Sequence, residues 1–161
     1  MARQPLSLKA RAVGLLSRRE HSRAELQRKL APHAEDPASL ETLLNELEQG
    51  GWLSQQRFIE SLVHRRAPQL GTRRVLHELR QHGLPEDALT DVARNLHRTE
   101  LERAREVWAK RFGAPPADTK EYARQYRYMA SRGFAPGTLR QILAGQGAIP
   151  QEDDAPFDDS P

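Results

Sequence analysis

From Leu8 to Leu143 the apolar side chains of this chain recur three and four residues apart, the spacing that gathers them on one face of a helix. Leu8, Ala12, Leu15 and Leu16 open the pattern, and Leu40, Leu43, Leu44 and Leu47 repeat it. Leu89, Val92, Ala93 and Leu96 continue it, followed by Leu101, Ala104, Trp108 and Phe112, then Tyr122, Tyr126 and Met129, then Leu139, Ile142 and Leu143. No stretch alternates apolar and polar residues over a strand's length, so no sheet is predicted and the fold class is all-α.

Local signals divide the pattern. Ser22 with Glu25, Thr99 with Glu102, and Asp118 with Glu121 have the form of capping boxes. Asp36-Pro37 reads as an N-cap followed by proline at the first helical position, and Pro85 and Pro136 suit that position too. Gly50, Gly83, Gly113, Gly133 and Gly145 stand where helices should stop. Nine helices are predicted, over roughly 7–18, 22–31, 37–49, 54–67, 71–82, 85–96, 99–112, 118–132 and 136–144. Residues 146–161 are rich in Gly, Pro and acids and are predicted to form a disordered acidic tail.

The helices fall into threes. Shifting Val75, Leu76, Leu79, Gly83, Leu84, Leu89 and Val92 by 50 residues lands on Gln125, Tyr126, Met129, Gly133, Phe134, Leu139 and Ile142; Gln125 alone breaks character. A shift of 49 the other way lands four of them on Leu26, Leu30, Leu40 and Leu43. A period near 50 reads as a tandem helical array, with three-helix repeats at 7–50, 54–97 and 99–145. Each unit is too small to bury its apolar faces alone, so neighbours are expected to stack. Chance similarity among amphipathic helices is the competing explanation.

Composition narrows the function. There is no Cys, which excludes disulfides, thiolate metal sites and Cys nucleophiles. No run approaches the ~20 apolar residues that span a bilayer, and the N-terminus lacks the apolar core of a signal peptide, so a cytoplasmic protein with no membrane partner is expected. His77 and His82 resemble a zinc-protease pair one residue too far apart. Five residues turn a helix by about 140°, which points the two imidazoles away from a shared metal. Ser residues sit mostly at helix starts, where capping explains them. No carboxylate pair lies in an apolar setting. Neither an enzyme nor a cofactor is expected.

Charge gives the positive signal. The first 150 residues hold 25 basic and 17 acidic side chains, a net of +8, while Gln151–Pro161 hold five acids and no base. Twenty-one of the bases are Arg, whose planar donor fork suits phosphates and carboxylates. A GC-rich genome would also favour Arg, but it does not explain the net charge. The bases fall in rows. Lys120, Arg124 and Arg127 run i, i+4, i+7, about 200° from the Tyr122/Tyr126/Met129 stripe two residues out of phase. Arg73, His77 and Arg80 form a similar row with Arg74 beside it, and Arg23, Arg28 and Lys29 lie on helix 22–31. Such rows would meet a polyanion through salt-sensitive, sequence-independent phosphate contacts; a solvated helix face is the alternative. Among the aromatic residues, Trp52, Trp108, Phe112 and most others fall on core stripes or helix ends, which leaves Tyr128 as the best exposed candidate for stacking on bases. The acidic tail would either aid solubility or compete with polyanions for the basic surface.

Leu15-Leu16-Ser17-Arg18-Arg19-Glu20-His21-Ser22, with Glu25-Leu26 and Lys29-Leu30, is similar to the opening of the RecX family, regulators of the RecA recombinase. So is Gly51-Trp52-Leu53-Ser54-Gln55-Gln56-Arg57-Phe58, although the family usually has acids where Ser54, Gln55 and Gln56 stand. Gly71, Arg73, Val75, Glu78-Leu79-Arg80 and His82-Gly83-Leu84 resemble its second repeat; Tyr126-Arg127-Tyr128-Met129 and Arg132-Gly133-Phe134 resemble its third. The resemblance runs over about residues 8–145. It implies three tandem three-helix repeats in a curved, elongated, right-handed-type helical array. It also implies a regulator that binds the RecA–DNA filament and inhibits recombinase, ATPase and coprotease activity. Candidate contacts to DNA or the filament are Arg28, Lys29, Arg73, Arg74, Arg80, Lys120, Arg124, Arg127, Tyr128 and Arg132. Single- and double-stranded DNA, bound without sequence preference, are the expected nucleic-acid partners, and a monomer is expected. Two other readings stay open: a DNA-binding helical protein that acts without RecA, and a helical-repeat scaffold for another protein.

Overall fold

A computed structural model describes residues 3–144. The predicted acidic tail lies outside the described residues. Within them the chain forms eight α-helices and no strand: α1 (Leu8–Leu16), α2 (Arg23–Leu30), α3 (Pro37–Gln49), α4 (Gln55–Arg66), α5 (Thr72–Gln81), α6 (Glu86–Arg111), α7 (Thr119–Ser131) and α8 (Pro136–Ala144). A 3-10 turn, Ala31–His33, extends α2.

Most ends follow their local chemistry. The side chains of Ser22, Asp36 and Asp118 accept from the backbone N–H three residues on, at 3.1, 2.7 and 2.7 Å. Pro37 and Pro136 occupy the first helical position. Gly83, Gly113 and Gly133 end their helices with left-handed φ, as expected. After α3 that role falls to Gly51, while Gly50 keeps a right-handed helical conformation.

The prediction of nine helices is corrected at one place. The expected helices 85–96 and 99–112 are one continuous helix, α6. Thr99 caps nothing: its hydroxyl donates back to the carbonyls of Asn95 and Leu96, at 3.2 and 3.3 Å. A Thr-x-x-Glu sequence starts a helix only where something has stopped the one before it. Between Glu86 and Arg111 there is neither Gly nor Pro to do so.

The chain packs as two compact units. Among the described residues, one takes residues 3–65 together with His77–Asp87; the other takes Arg66–Leu76 together with residues 88–144. In the first, Ala12, Leu26, Leu30, Leu40, Leu43, Leu44, Leu47 and Leu53 form the core. In the second, Ala104, Trp108, Met129, Phe134, Leu139, Ile142 and Leu143 do so, with Tyr122, Tyr126, Tyr128 and Phe112 packed at its edge. Three register positions keep their burial, while Leu84 and Val92 are half-buried where Phe134 and Ile142 are buried. Leu26 and Val75 are buried, as are Leu30, Leu79 and Met129, and Leu40, Leu89 and Leu139. Gln125, the residue that breaks character, is buried as well; its side-chain oxygen accepts from the Trp108 indole at 2.8 Å.

Two features hold the second unit together. The Gly71 amide donates to the Arg132 carbonyl at 2.8 Å, and the two backbones touch there. A Cβ on Gly71 would sit under 3 Å from the Gly133 carbonyl and the Phe134 nitrogen, so only glycine allows the approach. The second feature is Glu100, on α6 and only 3% exposed. Its carboxylate accepts from the Thr72 amide (2.9 Å), the Thr138 hydroxyl (2.6 Å) and the Ala135 amide (3.4 Å). One side chain thus caps the starts of α5 and α8. One turn on, the Arg103 guanidinium donates to the carbonyls of Ala67, Leu70 and Leu96 and to the Thr72 hydroxyl. Among the described residues no buried side-chain polar atom lacks a partner.

Candidate nucleic-acid interface

α7 and its C-cap carry five of the ten residues expected at the interface. Lys120, Arg124, Tyr128 and Arg132 follow one another at intervals of four, and Arg127 lies beside them. Met129 and Gln125 are buried, so this row lies to one side of the core, with Tyr128 packed at its edge. Lys120, Arg124, Arg127 and Arg132 are all exposed.

Tyr128 is not the open stacking platform the sequence suggests. It is half-buried and meets Phe112 edge-on, with ring centroids 5.4 Å apart. Two guanidiniums lie over it, Arg111 at 5.0 Å and Arg132 at 5.1 Å from the ring centroid. Phe112 carries two as well, Arg124 at 5.3 Å and Arg111 at 5.7 Å. The pair therefore organises three arginines. Arg74, from the start of α5, joins the same end of α7 through a long bond to the Ser131 carbonyl, 3.4 Å. Arg111 and Phe112 were not among the expected contacts. Phe112 sits on a core stripe, and nothing local sets Arg111 apart from twenty other arginines.

Carboxylates already hold some of the candidates. Arg124 makes a two-pronged pair with Glu121, at 2.6 and 2.9 Å. The bond holds the Glu121 carboxyl below its ordinary value and the Arg124 guanidinium above its own. Arg80 pairs in the same way with Glu86, at 2.6 and 3.2 Å. The Arg80 pair is exposed on both sides, which makes it worth little in isolation, whereas the Glu121 carboxylate is half-buried and also accepts from the Gln125 amide at 3.3 Å. Lys29 pairs with Glu25 at 3.2 Å and approaches His21 Nε2 at 3.4 Å. Arg28, Arg73, Lys120 and Arg127 are exposed and have no ion-pair partner among the described residues.

The start of α2 holds a tighter cluster. Glu25 is nearly buried and pairs with both Arg19 and Lys29. Burial pushes its carboxyl up, but the bonds from Arg19 and Lys29 outweigh that and bring it down to about 2. Burial lowers the His21 imidazole, against the pull of the Arg19 carbonyl bonded to its Nδ1 at 3.0 Å. A neutral ring that donates from Nδ1 leaves Nε2 to accept from Lys29.

Two further residues depart from expectation. Trp52 is 51% exposed, although its place near a helix end suggests packing. Ser54 stands where the resemblance leads one to expect an acid, and its hydroxyl caps α4 by accepting from the Arg57 amide at 3.2 Å. The cap needs an acceptor and not a charge. Among the described residues no group of three or more His, Cys, Asp or Glu is placed to hold a metal, and no helix is long and apolar enough to cross a membrane.

Fold and surface together define an all-helical protein whose exposed chemistry is guanidinium. The description "RecX, third three-helix domain" matches residues 98–143. The regulatory protein RecX of Ralstonia nicotianae is 54% identical over 156 residues, covering 97% of this chain and 98% of that one. The Leptothrix cholodnii protein of the same name is 55% identical over 88% of this chain and 90% of its own length. That of Neisseria meningitidis is 40% identical over 85% and 89%. The crystal structure of RecX from Lactobacillus salivarius superposes with a TM-score of 0.68 at 18% identity, over 88% of this chain and 96% of that one. The chain belongs to the RecX family of regulatory proteins.

Proposed function

We propose that this protein binds the RecA–DNA filament and lowers RecA's recombinase, ATPase and coprotease activity. The observation that carries the reading is family membership over nearly the whole chain. The exposed cations on α5 and α7 support it, because a filament presents DNA phosphate, and phosphate contacts of this kind need no base sequence. In this reading the chain acts in the cytoplasm, as a monomer, without cofactor or catalysis. The three-helix repeats 7–50, 54–97 and 99–145 are its structural units, and Arg28, Lys29, Arg73, Arg74, Arg80, Lys120, Arg124, Arg127, Tyr128 and Arg132 are its contacts to single- and double-stranded DNA or to RecA.

The test is a titration of RecA's DNA-dependent ATPase. Suppression at substoichiometric amounts is the expected result. Inhibition that merely tracks DNA coverage and vanishes with excess DNA would make the protein a DNA binder that acts without RecA. No DNA binding at low salt and no effect on RecA would leave a scaffold for some other protein. Replacing Arg73, Arg80, Arg124 and Arg127 by Glu should weaken filament binding while the helical circular dichroism survives; unchanged binding would remove the basic faces from the account.

A further inference from the structure

The ring-held arginines of α6 and α7 have a chemistry that the family name does not assign. Three guanidiniums, Arg111, Arg124 and Arg132, gather on the Phe112/Tyr128 pair, with Glu121 pairing to one of them. Arg111 and Arg132 both lie over Tyr128, so their guanidinium carbons stand within about 10 Å of each other. Like charges this close repel. Two things offset the repulsion here. Arg111 is the last residue of α6 and Arg132 caps the end of α7, where the helix dipoles favour cations. The electron-rich ring faces attract guanidinium as well. Neither device neutralises the charge, as a carboxylate would. Both hold it in place and leave its N–H donors free.

We infer that the Phe112/Tyr128 pair with Arg111, Arg124 and Arg132 is a phosphate-reading subsite for the backbone of nucleic acid, which Glu121 occupies until the nucleic acid arrives. The inference rests on the proposed function only in taking nucleic acid as a partner. An open pocket of about 310 Å³ lies beside Arg124, lined by Arg111, Phe112, Pro115, Ala117 and Glu121. A phosphodiester oxygen entering it meets Arg111 and Arg124 together and displaces the half-buried Glu121 carboxylate from Arg124, leaving it the Gln125 amide. Arg74, reaching the Ser131 carbonyl, extends the track at the far end of α7. Tyr128 and Phe112 are positioning residues in this arrangement. Their ring faces are already taken by guanidinium, so they aim cations and do not stack on bases.

Fluorescence anisotropy with labelled oligo-dT and with a labelled duplex, without RecA, tests the subsite over a salt series. Tyr128→Phe keeps the ring and should bind as wild type. Tyr128→Leu should weaken binding about three- to tenfold, because the exposed cations it holds are worth modest energies each. Arg111→Ala should do the same and lower the salt slope by about one contact. The exposed Arg111 keeps the test valid if Tyr128→Leu, at the edge of the core, fails to fold. Glu121→Gln frees Arg124 and should tighten binding several-fold more than Glu102→Gln, which removes the same charge from an exposed pair elsewhere on α6. The probe that loses affinity identifies the strand form read. Unchanged affinity in Tyr128→Leu and Arg111→Ala would overturn the subsite. So would equal gains from Glu121→Gln and Glu102→Gln. Displacement of oligo-dT by polyglutamate as readily as by polyphosphate would also overturn it, and would point to an acidic protein surface as the ligand. All of these readouts lack RecA, so such a failure leaves the RecA titration standing on its own.

Discussion

Replacing Glu100 by Ala removes one carboxylate from two helix starts at once. Two of its bonds have good geometry, 2.9 Å from the Thr72 amide and 2.6 Å from the Thr138 hydroxyl. A hydrogen bond to a charged group contributes about 1.5–3 kcal/mol, and the Thr72 amide left behind is buried. Removing the carboxylate also removes its own desolvation cost, which offsets part of the loss, so about 3 kcal/mol remains. In a chain of this size that lowers the melting temperature by roughly 6–12 °C. Thermal unfolding followed by far-ultraviolet circular dichroism measures it, with Glu102→Ala as the control. Glu102 is exposed and pairs with Arg105, so its loss should stay within about 0.5 kcal/mol. The acid side gives a second readout. Burial raises the Glu100 carboxyl, but the bonds from Thr138, Thr72 and Ala135 bring it below the ordinary value of 4.5. Its contribution is therefore complete above that value and is lost as pH falls through the lower, folded one. Glu100→Gln should flatten that part of the acid curve. A cost for Glu100→Ala no larger than for Glu102→Ala would refute the double cap.

Gly71→Ala should be among the most damaging single changes, at about 3 kcal/mol or more, because the new methyl collides with backbone that has nowhere to move; urea unfolding reads it. Glu25→Gln should remove a stability contribution that is present in the wild type above pH 4.5 and lost from there down to about 2; acid titration of the melting temperature checks the window. Trp108→Phe orphans the buried Gln125 oxygen and should cost about 1–3 kcal/mol beyond its packing loss, whereas adding Gln125→Val, the residue its register partner Val75 supplies, should recover part of it in a double-mutant melt.

The helices were legible because their signals are local. Spacing of three and four marks the apolar faces, and Ser22, Asp36 and Asp118 cap the amides three residues on. Thr99 misled for the same reason. Its local form fits a helix start, and what decides the matter is the absence of any stop before it. The polar hub left no local trace, since Glu100 and Arg103 bond to residues 28 to 38 positions away. The basic rows on α5 and α7 could be read from spacing. Which arginines share a ring, and which are tied up by Glu86 or Glu121, depends on side-chain packing and on a loop that brings Phe112 to Tyr128. Exposure of Trp52 had the same cause: its turn is held by Arg57, which bonds the carbonyls of Gly51 and Trp52.

Helical proteins fold quickly when their contacts are short in sequence. Glu100 works against that habit. It reaches 28 residues back to Thr72 and 38 forward to Thr138, and Arg103 reaches 33 and 36 back to Leu70 and Ala67. None of these bonds can form until α6 has passed its middle without a break and two other helix starts have come home to it. The second unit is therefore expected to acquire its helices early and its closure late. That closure waits on one carboxylate midway along the longest helix.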